Sequence, residues 1–213
     1  MTDQGFRTRA IHAGEETDPV TRAHATPIYQ TATFAFESGE RKEEVVDAAM
    51  AWEPGAYFYS RTQNPTTDAL ERKVASLEGA EAAVACASGM AAVSSTVLSL
   101  LSAGDHCVAA DDVFIITRFL LDDVLARKGI EVTRVDVRDL EAVRAAVRPG
   151  TKALFVESLS NPHMHLADID VLATIARDAG AVLVVDNTFI SPALFRPLEH
   201  GADLVLHSAT KYL

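Results

Sequence analysis

Between Ala82 and Leu206 the sequence alternates short apolar runs with stretches of helical periodicity, a pattern that few architectures accommodate. The runs are Ala82 to Ala87, Cys107 to Ala110, Val132 to Val135, Ala153 to Val156, Val182 to Val185 and Leu204 to Leu206. Helical patterns fall between them at Gly89 to Leu101, about Val113 to Lys128, Leu140 to Val147 and Ile169 to Ala179, with Gly104, Gly129 and Gly180 as stop signals. Upstream, Pro65 opens a helix carrying Leu70, Val74 and Leu77 and closed by Gly79. Strands that are apolar throughout belong in a parallel sheet covered on both faces, so the alternation predicts an α/β fold. Residues 1 to about 60 carry Pro19, Pro27 and Pro54 and little period apart from a charged stretch near Arg41 to Met50. They predict an extended arm preceding an α/β domain over 61–213.

With 213 residues, 48% of them hydrophobic, the chain has material for a substantial core. A net charge of -11, without a Lys/Arg cluster, argues against nucleic acid or an anionic membrane as partner. No run approaches the roughly 18 apolar residues of a membrane span, and the N-terminus lacks an apolar leader, so a soluble, cytoplasmic protein is expected. Cys86 and Cys107 are too few for a disulfide framework and have no metal-ligand spacing with the seven histidines. No metal is expected, and Cys86, in a run of small residues, reads as a buried structural thiol. Small molecules and protein partners remain.

Ligands of parallel sheets gather at the carboxyl ends of the strands, and three of those ends are chemically loaded. Ser88-Gly89-Met90 opens a helix whose free N–H groups and dipole suit a phosphate, although a glycine there also serves as a plain strand-to-helix turn. Asp186 leaves the apolar strand Val182 to Val185, where an unpaired carboxylate is costly. It would suit a pyridinium nitrogen, or cap a helix. Lys211 follows Leu204 to Leu206 through His207-Ser208-Ala209-Thr210, a setting for Schiff-base chemistry or for an ordinary surface lysine.

The combination resembles the Cys/Met-metabolism enzymes that depend on pyridoxal 5'-phosphate (PLP), which include cystathionine γ-synthase, cystathionine γ-lyase, methionine γ-lyase and the O-acylhomoserine sulfhydrylases. Matching segments run from Thr8 to Gly14, Pro27 to Thr31, Tyr59 to Thr66, Ser88 to Met90 and Gly104 to His106. They continue through Glu157 to Pro162, Val185 to Phe189, Pro197 to Asp203 and His207 to Tyr212. The resemblance implies PLP fold type I, with the large domain incomplete and the C-terminal part absent. It implies that Lys211 anchors the cofactor and carries protons, that Asp186 keeps the pyridinium nitrogen protonated, and that Asn161 lies near the phenolic oxygen. Ser88, the backbone of Gly89 and Met90, and the hydroxyls of Ser208 and Thr210 would hold the phosphate. Tyr59 and Arg61, otherwise an ordinary loop pair, would reach the phosphate in the neighbouring subunit. The active site would then be shared across a dimer, commonly within a tetramer.

Three departures bear on the substrate. Where the family usually has a tyrosine that stacks on the cofactor and takes part in catalysis, this chain has Phe114, which keeps stacking but has no hydroxyl to donate. Either another group or water protonates the leaving group, or the substituent departs as an anion such as halide. Ile115 and Ile116 replace small residues and would narrow the pocket. The chain ends at Leu213, before the part in which the family carries the arginine for the substrate carboxylate. The expected activity is γ-elimination on a γ-substituted, sulfur-containing or related amino acid, giving a 2-oxoacid and ammonia. γ-Replacement is the alternative within the family, and an inactive truncated subunit the alternative outside enzymology.

Overall fold

The computed structural model describes residues 4–213, which form two compact units, one ending at Ala85 and one beginning at Cys86. In the second unit five parallel strands pair in the order β2-β1-β3-β4-β5: β1 (His106–Ala110), β2 (Glu131–Val135), β3 (Thr151–Glu157), β4 (Val182–Asp186) and β5 (Leu204–Leu206). Helices α4 (Gly89–Leu100), α5 (Ile115–Phe119), α6 (Leu140–Ala146) and α7 (Ile169–Ala179) lie between or before them. The chain passes outward from β1 to β2 and then returns to β3 on the other side of β1, so the topological switch point lies between β1 and β3.

Every residue of β1 is buried, as are Ala153 to Glu157 of β3 and Leu183 to Val185 of β4, which explains why these strands read as unbroken apolar runs. Phe155, Leu154, Leu183, Leu121, Leu125 and Leu172 form the centre of the core. At the opposite end of the strands from the loaded residues, His106 is buried and its ring nitrogens meet Thr151 Oγ1 at 2.8 Å and Thr133 Oγ1 at 2.9 Å, tying β1 to both neighbours. Burial, with the Arg148 charge, pulls its pKa down.

Helix α7 shows the local rules at work. Asp168 caps its start by accepting from Val171 N, Ile169, Leu172, Ala173, Ile175 and Ala176 are buried, and Gly180 ends it at φ 65°.

The expected strand at Ala82 to Ala87 does not form: the segment has no ladder partner among the described residues, and Val84 is exposed. Its apolar character had suggested burial, but a strand requires a neighbour to accept its hydrogen bonds. Cys86, expected to be buried, is exposed for the same reason. The helix expected from Val113 to Lys128 starts at Ile115 and is interrupted by a π-helical turn over Leu120–Leu125. Leu120, Leu121 and Leu125 are buried in that turn, and the wider turn lets all three face the core.

In the first unit, the stretch expected to be irregular contains α1 (Phe6–His12) and α2 (Gly39–Met50), the latter capped by Ser38 accepting from Arg41 N. Helix α3 (Pro65–Glu78) follows, capped by Asn64. Its N-terminus organises the extended chain. Thr66 Oγ1 accepts from Tyr29 N at 2.9 Å and donates to Pro27 O at 3.0 Å, while Asn64 Nδ2 donates to Tyr29 O at 3.0 Å. Gly14, at φ +75°, lies so close to the Ala69 carbonyl that any side chain would collide with it.

Candidate active site

At the carboxyl ends of the sheet, the loops bearing three of the sequence-predicted groups meet. Ser88 caps α4 by accepting from Ala91 N at 3.1 Å, so the N–H groups of Gly89 and Met90 sit in the first turn without carbonyl partners from their own helix. A Cβ on Gly89 would come within 2.7 Å of Ser208 Cβ and 2.9 Å of its Oγ. Only glycine therefore lets the loop after β5 approach the α4 N-terminus so closely, and the result is a cradle of backbone donors with a hydroxyl beside it. The Met90 sulfur accepts from Thr117 Oγ1 at 3.6 Å, fastening this end of α4 to α5.

The same loop is tied to β4. Ser208 N donates to Thr188 Oγ1 at 2.9 Å, and Thr188 gives both its N–H, at 3.0 Å, and its hydroxyl to Asp186 Oδ1. Burial pushes the Asp186 carboxyl up, and the Thr188 donors and the His207 ring pull it back. Phe189 and Tyr212 meet edge to face at 6.0 Å, a second link between the β4 exit and the Lys211 loop. Lys211 itself is exposed and is held through its backbone N–H to Ser208 O at 3.1 Å. Thr210 is exposed beside it, and so is Asn161, in the loop after β3.

Phe114 occupies the switch point. It precedes α5, its backbone N–H donates to Glu157 Oε1 at 2.6 Å, and its side chain is 42% exposed. Glu157 was not singled out from the sequence, although it leaves the apolar strand β3 just as Asp186 leaves β4, and the two are register partners. It is buried, its Oε2 has no hydrogen-bond partner among the described residues, and burial followed by the nearby Asp186 and Asp112 charges pushes its carboxyl up to about 7 against the Phe114 and Asn161 N–H groups. In the first unit, Tyr59 and Arg61 are presented together, with the guanidinium 4.7 Å from the ring centroid. Tyr59 is fixed through an isolated bridge to Thr33 and through its carbonyl, which accepts from Thr62 and Gln63.

These features fit a phosphorylated pyridine: a glycine-dependent donor cradle, a half-buried carboxylate and a lysine on connected loops. The family description "Cys/Met metabolism PLP-dependent enzyme" matches residues 7–213. The chain belongs to that family. It is 47% identical over 209 residues to an L-methionine gamma-lyase of Pseudomonas putida, covering 98% of this chain and 52% of that protein. A probable cystathionine gamma-synthase of Herpetosiphon aurantiacus is 44% identical over 99% of this chain and 62% of its own length. A putative O-acetylhomoserine (thiol)-lyase of Campylobacter jejuni, solved with N'-pyridoxyl-lysine-5'-monophosphate, superposes with a TM-score of 0.90 at 34% identity, over 99% of this chain and 51% of that one. The parallel sheet is the large-domain architecture of PLP fold type I, and the chain spans about half the length of most of the relatives it matches. Among the described residues no helix is long and apolar enough to cross a membrane.

Proposed function

We propose that this chain forms the cofactor-binding part of a cytosolic enzyme that removes or replaces the γ-substituent of an amino acid, with γ-elimination to a 2-oxoacid and ammonia as its main reaction. The observation that carries the reading is the approach of Gly89 to Ser208, which brings the Lys211 loop onto the α4 N-terminus. PLP, when bound, supplies an electron sink for charge developing at the substrate Cα.

The chain's own residues have separable tasks. The Gly89 and Met90 N–H groups with the Ser88, Ser208 and Thr210 side chains bind the phosphate, and Arg61 with Tyr59 adds charge-assisted donors from a neighbouring subunit. Asp186, oriented by Thr188, holds a proton on the ring nitrogen. Asn161 donates toward the phenolic oxygen. Lys211 Nζ would anchor the cofactor and would accept the proton from the substrate Cα. Phe114 stacks on the ring, its backbone fixed by Glu157.

Because Phe114 has no hydroxyl, a leaving group that departs as an anion, such as halide, is the second reading. Full-length protein assayed with methionine, cystathionine, O-acylhomoserines and γ-halogenated amino acids should release 2-oxoacid without a thiol acceptor. Turnover that requires the thiol and yields no 2-oxoacid would make replacement the reaction. Phe114→Tyr should raise thioether cleavage about tenfold or more if the missing hydroxyl limits the rate. An unchanged thioether rate combined with a fall confined to halide elimination would establish the anionic leaving group instead.

A further inference from the structure

We propose that Asp112, His163 and His165 form a binding site for a divalent first-row transition-metal ion. Asp112 lies in the turn after β1 and the two histidines in the loop after β3, so the switch point of the sheet brings them together from positions some fifty residues apart. One ligand atom from each lies within 4.8 Å of the other two. His165 Nδ1 is 2.9 Å from Asp112 Oδ2. Two ligands each about 2.0–2.1 Å from one tetrahedral ion are about 3.3 Å apart, so this hydrogen-bonded pair has to open by only about half an ångström to chelate.

His163 stacks on His165 with ring centroids 5.3 Å apart, and because it is exposed it turns to complete the set without disturbing the core. Asp112 is 15% exposed and His165 33%, which leaves the remaining coordination positions open to water. The surroundings favour a cation. Asp111 precedes Asp112 in the same turn, and Arg138, on whose guanidinium both carboxylates act, is itself engaged by Asp136 at 2.8 Å. Two imidazoles and a carboxylate suit zinc, nickel, copper or iron better than magnesium or calcium. Spacing along the sequence concealed the set because His163 and His165 stand two apart while their third ligand comes from another strand end.

The proposal is independent of the cofactor reading. Full-length holoenzyme, stripped with chelator and dialysed into phosphate-free buffer, would be titrated calorimetrically with Zn2+. We expect about one ion per chain at micromolar affinity, weakened at least about tenfold in His163→Ala, whose exposed side chain leaves folding intact. His200→Ala, which removes a lone histidine paired with Asp170 at 3.1 Å, should leave the affinity unchanged. No saturable binding, or binding that His163→Ala does not weaken, would overturn the proposal and leave the His165 contact with Asp112 as a loop tie.

Discussion

Glu157 and Asp186 face each other across β3 and β4, yet their surroundings divide them: Asp186 has the two donors of Thr188, while one oxygen of Glu157 is buried without any among the described residues. Raised from 4.5 to about 7, Glu157 keeps a proton in the folded chain over a range in which the unfolded chain has lost it. Its contribution to stability therefore falls as pH rises from about 4.5 to about 7 and is constant above. Glu157→Gln retains an acceptor for the Phe114 N–H but does not titrate. The thermal stability of the full-length variant relative to wild type should shift in its favour between pH 5 and pH 8, by up to about 3 kcal/mol. A difference independent of pH would show that Glu157 ionises normally. Asp186 stood out in the sequence through its place after an apolar strand. Glu157 has the same signature but lacks a companion that names its role, and only the fold shows what it holds. At Gly89 the sequence admitted a plain turn, and the 2.7 Å approach of Ser208 explains why glycine is needed. Gly89→Ala should weaken PLP affinity at least about tenfold, measured by cofactor loss on dialysis, with far-ultraviolet dichroism unchanged.

Elements were legible where periodicity and punctuation agreed. The apolar period of α7 and the stop at Gly180 mark the same helix, and the structure places it at Ile169–Ala179 as expected. Asp168→Ala should cost about 1 kcal/mol, read as a lower denaturation midpoint, through loss of the bond to Val171 N. The Ala82 to Ala87 run misled because an apolar run specifies burial but not its partner strand. The π turn at Leu120–Leu125 was hidden because its cause is tertiary: three leucines reach one core through one extra residue per turn. Helix α2 was seen only as a charged stretch, since just Ala49 of its twelve residues is buried and no apolar stripe announces it.

For the whole molecule, the sequence motifs named the family because they are spread over nearly the entire chain, whereas the substrate pocket depends on residues that such motifs do not encode. Tyr59 and Arg61 belong to the unit ending at Ala85, and Lys211 to the unit beginning at Cys86. If Arg61 serves a neighbouring subunit, Arg61→Ala and Lys211→Ala should each be inactive alone. Their co-expression should restore about a quarter of wild-type activity, since half the dimers formed are mixed and each mixed dimer regains one intact site. No recovery would place Arg61 and Lys211 in the same site of the same subunit. The most direct test of the whole account is borohydride reduction of the full-length protein followed by peptide mass spectrometry. One phosphopyridoxyl group per chain is expected, on Lys211. A label on another lysine, or none at all, would contradict it.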